Sequence, residues 1–206
     1  MDLYKEWQKI QEEKFNSISI NKDKIMHAIY QDSNSTISQL RTRLKYKRNW
    51  IILFIAFGFI WAVYSIKNTD MLIIIGVLIA LYFIGFVGIS YFVRSMNKEI
   101  NYSEETLSLM KINLSLINNS LKFENLWGLV AFPMALIAGV TVPYISKGAS
   151  IISLSSNTTL LLTVPGLICV VVPIMFLLTH KMNKIGYGTL INQLQKNIHQ
   201  MELLEE

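Results

Sequence analysis

The sequence contains a single cysteine, and no arrangement of its three histidines suggests a site for chemistry. Cys169 has no second cysteine, so a disulfide within the chain is excluded. It also has no histidine at its own depth in the predicted membrane, and we interpret it as a packing residue rather than a nucleophile. His27 and His199 stand alone on predicted helices, and no Cys/His group has the spacing of zinc ligands. The sequence therefore predicts no catalytic residue, metal site or cofactor, and it favours a non-enzymatic protein.

Charge is also scarce. Charged residues make up 16% of the 206 residues, whereas soluble domains carry about 25%. Hydrophobic residues make up 52%, the mean hydropathy is +0.38, and the charges are confined to the stretches between apolar runs. This pattern predicts an all-α polytopic membrane protein. The net charge of +5 lies beside the apolar runs, so anionic lipid headgroups are a better expected partner than nucleic acid.

A basic cluster followed at once by an uncharged run predicts the orientation of the chain. The cluster places five basic residues in eight positions: Arg41, Arg43, Lys45, Lys47 and Arg48. Trp50 follows as an interfacial aromatic anchor, and residues 51–66 carry no charge. Because basic residues are retained on the cytoplasmic side, we expect everything before this cluster to be cytoplasmic.

Four apolar runs predict four membrane-spanning helices, at 50–66, 71–93, 127–145 and 160–179. They divide the chain into a cytoplasmic arm (1–49), a first hairpin (50–93), a cytoplasmic linker (94–125), a second hairpin (126–180) and a cytoplasmic tail (181–206). Of 19 Lys and Arg residues, only Lys67 and Lys147 fall in the two predicted outside loops. The bias places both termini in the cytoplasm, and we expect a multi-pass protein of the bacterial cytoplasmic membrane.

The stretches outside the spans are predicted to be amphipathic helices with polar interruptions. The linker and the tail each carry an apolar stripe at 3–4 spacing: Leu107, Met110, Leu114, Ile117 and Leu121 in the linker, and Tyr187, Ile191, Leu194, Ile198 and Met201 in the tail. Since their polar faces are not basic, these stripes favour helix–helix packing over lipid binding. We predict a loop at 16–21, a break at 32–36, a chain reversal at 101–103 and a tail helix that begins near Thr189.

The arm is the predicted partner-binding element. It precedes every span and is charged overall, and its predicted partner-binding residues are Trp7, Ile10, Phe15, Ile25 and Ile29. A short apolar stripe led by tryptophan is typical of an interface anchor. We therefore expect a cytoplasmic protein to bind here.

The order of elements in the first third of the chain adds a family resemblance. A Trp-containing helix (KEWQKIQEEKF) is followed by a helix with an Ile–Ser–Leu register (KIMHAIYQDSNSTISQLRTRLKYKRNW) and then by a span. Over about residues 4–66 this resembles small bacterial inner-membrane proteins of the anti-sigma-factor type. The resemblance implies that the arm holds a sigma factor at the membrane. Because both outside loops are short, any signal would arrive through the bilayer or the spans.

A transporter or channel subunit is the alternative function. All four prolines lie in the third and fourth spans, where kinked helices would line a path: Pro133, Pro143, Pro165 and Pro173. Such a path requires polar groups within the membrane, and the sequence offers only a thin set: Thr141, Thr163, Ser90 and Tyr64.

A stripe of small residues leaves the oligomeric state open. Ala131, Ala135 and Gly139 recur at a spacing of four along the third span, which favours close helix packing. Packing within the chain and packing in a homo-oligomer both satisfy this pattern.

Overall fold

The computed structural model describes the backbone of residues 3–96 and 106–205, and the side chains of residues 22, 24–96 and 106–204. Within these ranges the chain is helical and contains no strand. The helices are α1 (Leu3–Tyr64), α2 (Thr69–Ser95), α3 (Thr106–Ile145), the short α4 (Ile151–Ser155) and α5 (Thr158–Glu205).

Four of these helices are long and apolar enough to cross a membrane, the same number as the predicted spans, and the all-α class is confirmed. Little of their most apolar surface is covered by protein. In the most apolar 18-residue stretch of each helix, only 6% is buried in α1 and in α5, against 17% in α2 and 22% in α3. These side chains face outward, where hydrocarbon would cover them.

The buried core lies mainly beyond the spans. Helix α2 is short, whereas α1, α3 and α5 continue past it and pack together in what we call the three-helix bundle (residues 24–49, 106–126 and 180–204). Both predicted stripes lie in or against its core, which confirms their role in helix packing. Leu40, Leu194 and Met110 are fully buried there.

Helix α1 is continuous, so the predicted loop at 16–21 and the predicted break at 32–36 are both wrong. The polar residues that suggested the break are accommodated within the helix or against α5. Ser33 donates its hydroxyl hydrogen to the carbonyl of Ile29, 2.7 Å away and one turn earlier. Asp32 accepts hydrogen bonds from α5, and the Ser33 hydroxyl bonds to a carbonyl of its own helix, so neither side chain interrupts α1.

Helix α5 is also continuous, and the expected start of a separate tail helix near Thr189 is wrong. Gly186 and Gly188 each cost a helix about 1 kcal/mol relative to alanine. Between and beside them, Tyr187 and Leu190 are buried in the bundle. This packing holds the helix together through the two glycines. The predicted reversal at 101–103 lies outside the described residues.

At the opposite end of the spans, the two connections are joined by polar contacts. Asn68 caps α2 by accepting a hydrogen bond from the backbone N–H of Met71, and its side-chain amide donates to the carbonyl of Ile145 at 3.3 Å. Asp70 accepts from the backbone N–H of Ile151 at 3.1 Å. These bonds tie the start of α2 to the end of α3 and to the start of α4.

Candidate functional site: a polar junction between the spans and the bundle

A charged cluster joins three helices where the spans meet the three-helix bundle. The ammonium nitrogen of Lys47 on α1 lies 2.7 and 2.8 Å from the two carboxylate oxygens of Glu124 on α3. It also donates to the side-chain oxygen of Asn183 on α5 at 2.7 Å. We call these residues, together with Tyr187, the Lys47 cluster. Each of α1, α3 and α5 therefore contributes a residue to one polar contact.

The surroundings of this ion pair are partly shielded from solvent. The side chain of Glu124 is 16% exposed and that of Lys47 is 29% exposed. The ammonium group also lies 4.6 Å from the centroid of the Tyr187 ring, a cation–π distance. Burial raises the pKa of Tyr187 well above its usual value, and the Glu124 carboxylate raises it further, against a smaller lowering by Arg43. The phenol therefore stays neutral at any physiological pH.

The depth of the Lys47 cluster follows from helix lengths. The far ends of α1, α3 and α5 lie about 17, 21 and 25 residues along their helices from the cluster, or roughly 26–38 Å at 1.5 Å per residue. The hydrocarbon core of a bilayer is about 30 Å thick. The cluster is therefore placed at one edge of the region that hydrocarbon would fill.

A second polar layer lies farther into the bundle. Asp32 of α1 accepts hydrogen bonds from the amides of Gln193 at 2.9 Å and Asn197 at 2.8 Å, both on α5. Asn197 also donates to Ser33 at 2.9 Å. These bonds fix α1 against α5 in one register, because a shift of one residue would separate all of them.

The end of the bundle carries a third, more exposed contact. Lys111 of α3 forms an ion pair with Glu202 of α5 at 2.6 Å. The hydrogen bond from Lys111 is the main cause of a lowered pKa at Glu202. Both side chains are substantially exposed, so this pair contributes little stability.

The basic residues predicted to orient the chain take different positions in the structure. Lys47 belongs to its cluster, and Arg41 donates from Nε to the carbonyl of Val93 at 3.3 Å. Arg43 and Lys45 are exposed, whereas Arg48 is half-buried and its Nε has no hydrogen-bond partner in the described part of the chain. Two of the five thus hold helices together, a role that charge patterning did not indicate.

The predicted partner-binding residues are only partly described. Ile25 is exposed and Ile29 is half-buried on α1. The side chains of Trp7, Ile10 and Phe15 lie outside the described residues. A surface formed by all five residues therefore stays a prediction.

Sequence reasoning missed the most constrained packing in the span region. Gly85 and Gly88 of α2 face Trp127 and Phe123 of α3, and a Cβ at Gly88 would lie 2.2 Å from the ring of Phe123. The indole N–H of Trp127 donates to the carbonyl of Leu81 at 3.0 Å. The two glycines therefore let aromatic side chains rest on the backbone of α2. The two glycines are three residues apart and share one helical face, and this spacing was the sequence signal that could have indicated close packing here.

Two of the polar residues that a transport path would require are bonded within their own helices, and a third is exposed. Thr141 and Thr163 bond to carbonyls of their own helices, at 2.9 and 2.7 Å. Tyr64 is strongly exposed at the end of α1. Of the small-residue stripe, Ala131 is buried, whereas Ala135 and Gly139 are exposed, so this stripe is not a continuous contact within the chain. Among the described residues, no group of three or more His, Cys, Asp or Glu side chains could hold a metal ion.

Fold and junction together define an all-α protein with four helices able to cross a membrane and a three-helix bundle built from their continuations. Comparison with protein-family models, curated proteins and solved structures finds no match. The function is therefore argued from the chain itself.

Proposed function

We propose that this protein is a membrane-anchored regulator or scaffold that binds a cytoplasmic protein through the N-terminal part of α1. A sigma factor is the partner that the family resemblance suggests. In this proposal the protein is a multi-pass component of the bacterial cytoplasmic membrane, with the three-helix bundle and both termini in the cytoplasm.

The observation that carries the proposal is the unequal length of the helices beyond the Lys47 cluster. Helix α5 continues for about 22 residues beyond the cluster and α3 for about 18, whereas α1 continues for about 44. In this register, residues 3–24 of α1 extend beyond the end of α5; we call them the N-terminal extension. It is about 33 Å long at 1.5 Å per residue.

The composition of the N-terminal extension suits a protein partner. It contains Trp7, Ile10 and Phe15 among charged residues. A helix of this length is marginal alone in water, and its apolar residues gain most by packing against another surface. Tryptophan in particular is enriched among residues that dominate binding energy.

Deletion of residues 1–20 tests this proposal. The full-length chain should capture a cytoplasmic protein, and the deletion should abolish this capture. Capture is measured by cross-linking in membranes and, with the purified protein, by binding to a purified sigma factor. The spans and the Lys47 cluster remain, so insertion and thermal stability should be unchanged. Trp7→Ala should reduce capture substantially. Trp50→Ala, the same change at an exposed residue outside the extension, should not.

The rival arrangement has a distinct signature. If the N-terminal extension docks on the protein's own bundle, its deletion should lower the thermal stability of the whole chain. The intact chain should then capture no cytoplasmic protein. These two results together would refute the regulatory function.

The proposed orientation is tested by single cysteines in a Cys169→Ser background. Asn68→Cys and Asn157→Cys lie in the connections at the far ends of the spans, so an impermeant thiol reagent should label them in intact cells. Gln193→Cys on the bundle, and Ser103→Cys between α2 and α3, should be labelled only after the membrane is permeabilised. Labelling of either of the last two in intact cells would contradict the orientation.

A further inference from the structure

A groove runs along α2 at the depth of the Lys47 cluster and is not used by any interaction described above. Its volume is about 430 Å³. Its lining residues all come from one face of the helix: Phe86, Val87, Ser90, Tyr91, Arg94 and Ser95.

The lining of the groove changes in character along the helix. Gly88 faces Phe123, the residue before Glu124, so Ser90 and Tyr91 lie close to the depth of the Lys47 cluster. Phe86 and Val87 lie one turn toward the spans, and Arg94 lies one turn toward the bundle. The groove thus proceeds from apolar residues through hydroxyl groups to a cation as it leaves the hydrocarbon region.

Two of these side chains lack partners that they would ordinarily have. Ser90 is only 8% exposed, and its buried hydroxyl has no hydrogen-bond partner among the described residues. Threonines in the neighbouring spans satisfy theirs by bonding to the preceding turn of their own helices. Arg94 is exposed and forms no ion pair with any described residue.

We propose that this groove binds the phosphodiester headgroup of an anionic phospholipid from the leaflet on the bundle side. Arg94 binds the phosphate, the Ser90 hydroxyl turns from its buried position into the groove to donate to a phosphate or ester oxygen, and an acyl chain lies along Phe86 and Val87. An anionic lipid is favoured over a zwitterionic one because Arg94 is exposed and has no ion-pair partner among the described residues, and a zwitterionic headgroup brings a cation of its own. The site does not depend on the proposed regulatory function.

Native mass spectrometry of the full-length chain in mild detergent, supplied with equal amounts of phosphatidylglycerol and phosphatidylcholine, tests the site. Arg94→Gln should reduce bound phosphatidylglycerol about fivefold, which corresponds to about 1 kcal/mol for one basic residue near a membrane surface. Lys45→Gln also removes one positive charge, at an exposed residue of α1 near the same depth, and it should leave binding unchanged.

Ser90→Ala provides a second measurement whose two readouts are expected to move in opposite directions. Removal of a buried hydroxyl without a partner should preserve or raise the thermal stability of the lipid-free protein. The same variant should retain less phosphatidylglycerol. A purely structural serine would lose stability and leave lipid retention unchanged, which would overturn its assignment to the site.

Three other results would overturn the proposal. Equal losses in Arg94→Gln and Lys45→Gln would indicate diffuse attraction of anionic lipid to the basic surface. Equal retention of phosphatidylcholine would exclude selection of an anionic headgroup. Displacement of the lipid by millimolar inorganic phosphate would indicate a site for a free anion rather than for a phospholipid.

Discussion

Replacement of Ile117 by alanine is expected to lower the free energy of unfolding of the three-helix bundle by about 2–5 kcal/mol. Ile117 lies on α3 with 0% of its surface exposed, in the same cluster as Leu44 and Leu194. The substitution removes three carbons from a site enclosed by α1, α3 and α5, and it leaves a cavity that rigid helices cannot collapse. Thermal unfolding in detergent, followed by circular dichroism, measures the change.

Ile112→Ala is the matched control for Ile117. It makes the same chemical change on the same helix, five residues away, at a side chain that is 52% exposed. Its cost should stay below about 1 kcal/mol, because little apolar surface is lost from the core. If the two variants unfold at the same temperature, the stripe on α3 does not face the bundle core.

Removal of Lys47 should produce the second large effect. Lys47→Met leaves the Glu124 carboxylate with the side-chain amide of Asn183, 3.4 Å away. Removal of one partner from a fully buried ion pair costs about 3–5 kcal/mol. Because these side chains are 29% and 16% exposed, solvent screens part of this effect, and we expect a loss of about 1–3 kcal/mol.

The double variant Lys47→Met with Glu124→Leu distinguishes an unpaired charge from lost packing. An apolar pair can replace a buried ion pair at little cost, so the double variant should recover to within about 1 kcal/mol of the wild type. Lys111→Met breaks the exposed pair with Glu202, and its unfolding temperature should stay close to that of the wild type. A double variant less stable than Lys47→Met alone would show that the charges themselves hold the junction.

The helical packing of this chain was predictable because it depends on a repeating pattern. The stripes of α3 and α5 keep a 3–4 spacing over several turns, and their members lie in or against the core. Four long apolar runs likewise indicated four helices able to cross a membrane. Such patterns survive local exceptions, since many residues contribute to each of them.

The predicted interruptions of the helices failed because they rested on local preference alone. Asp32 and Ser33 were expected to compete with the helix, yet both are bonded across α1 and α5 in the folded chain. Gly186 and Gly188 lie just before the predicted helix start near Thr189, but their buried neighbours keep α5 continuous through them. Partners more than 160 residues away cannot be inferred from a run of polar letters.

The charged junction was partly accessible from the sequence. Glu124 is the only acidic residue between Glu105 and Glu202, and it stands immediately before an apolar run. A lone acid at a membrane edge, in a chain with an excess of bases, indicates an ion pair. Which of the 19 basic residues would reach it depended on the relative register of α1 and α3, and no local pattern encodes that register.

The length of α1 gives the Lys47 cluster the geometry of a fulcrum. About 66 Å of helix lies on one side of it and about 26 Å on the other, so the lever ratio is roughly 2.5. Because Asp32 and Leu40 hold α1 in the bundle, the two tilt together, and a tilt of about 5° around this point would move the outer end of an unbent α1 by about 2 Å and its N-terminal tip by about 6 Å. Changes in bilayer thickness act on helix tilt. A small mechanical displacement within the membrane would therefore be amplified at the tip of the helix.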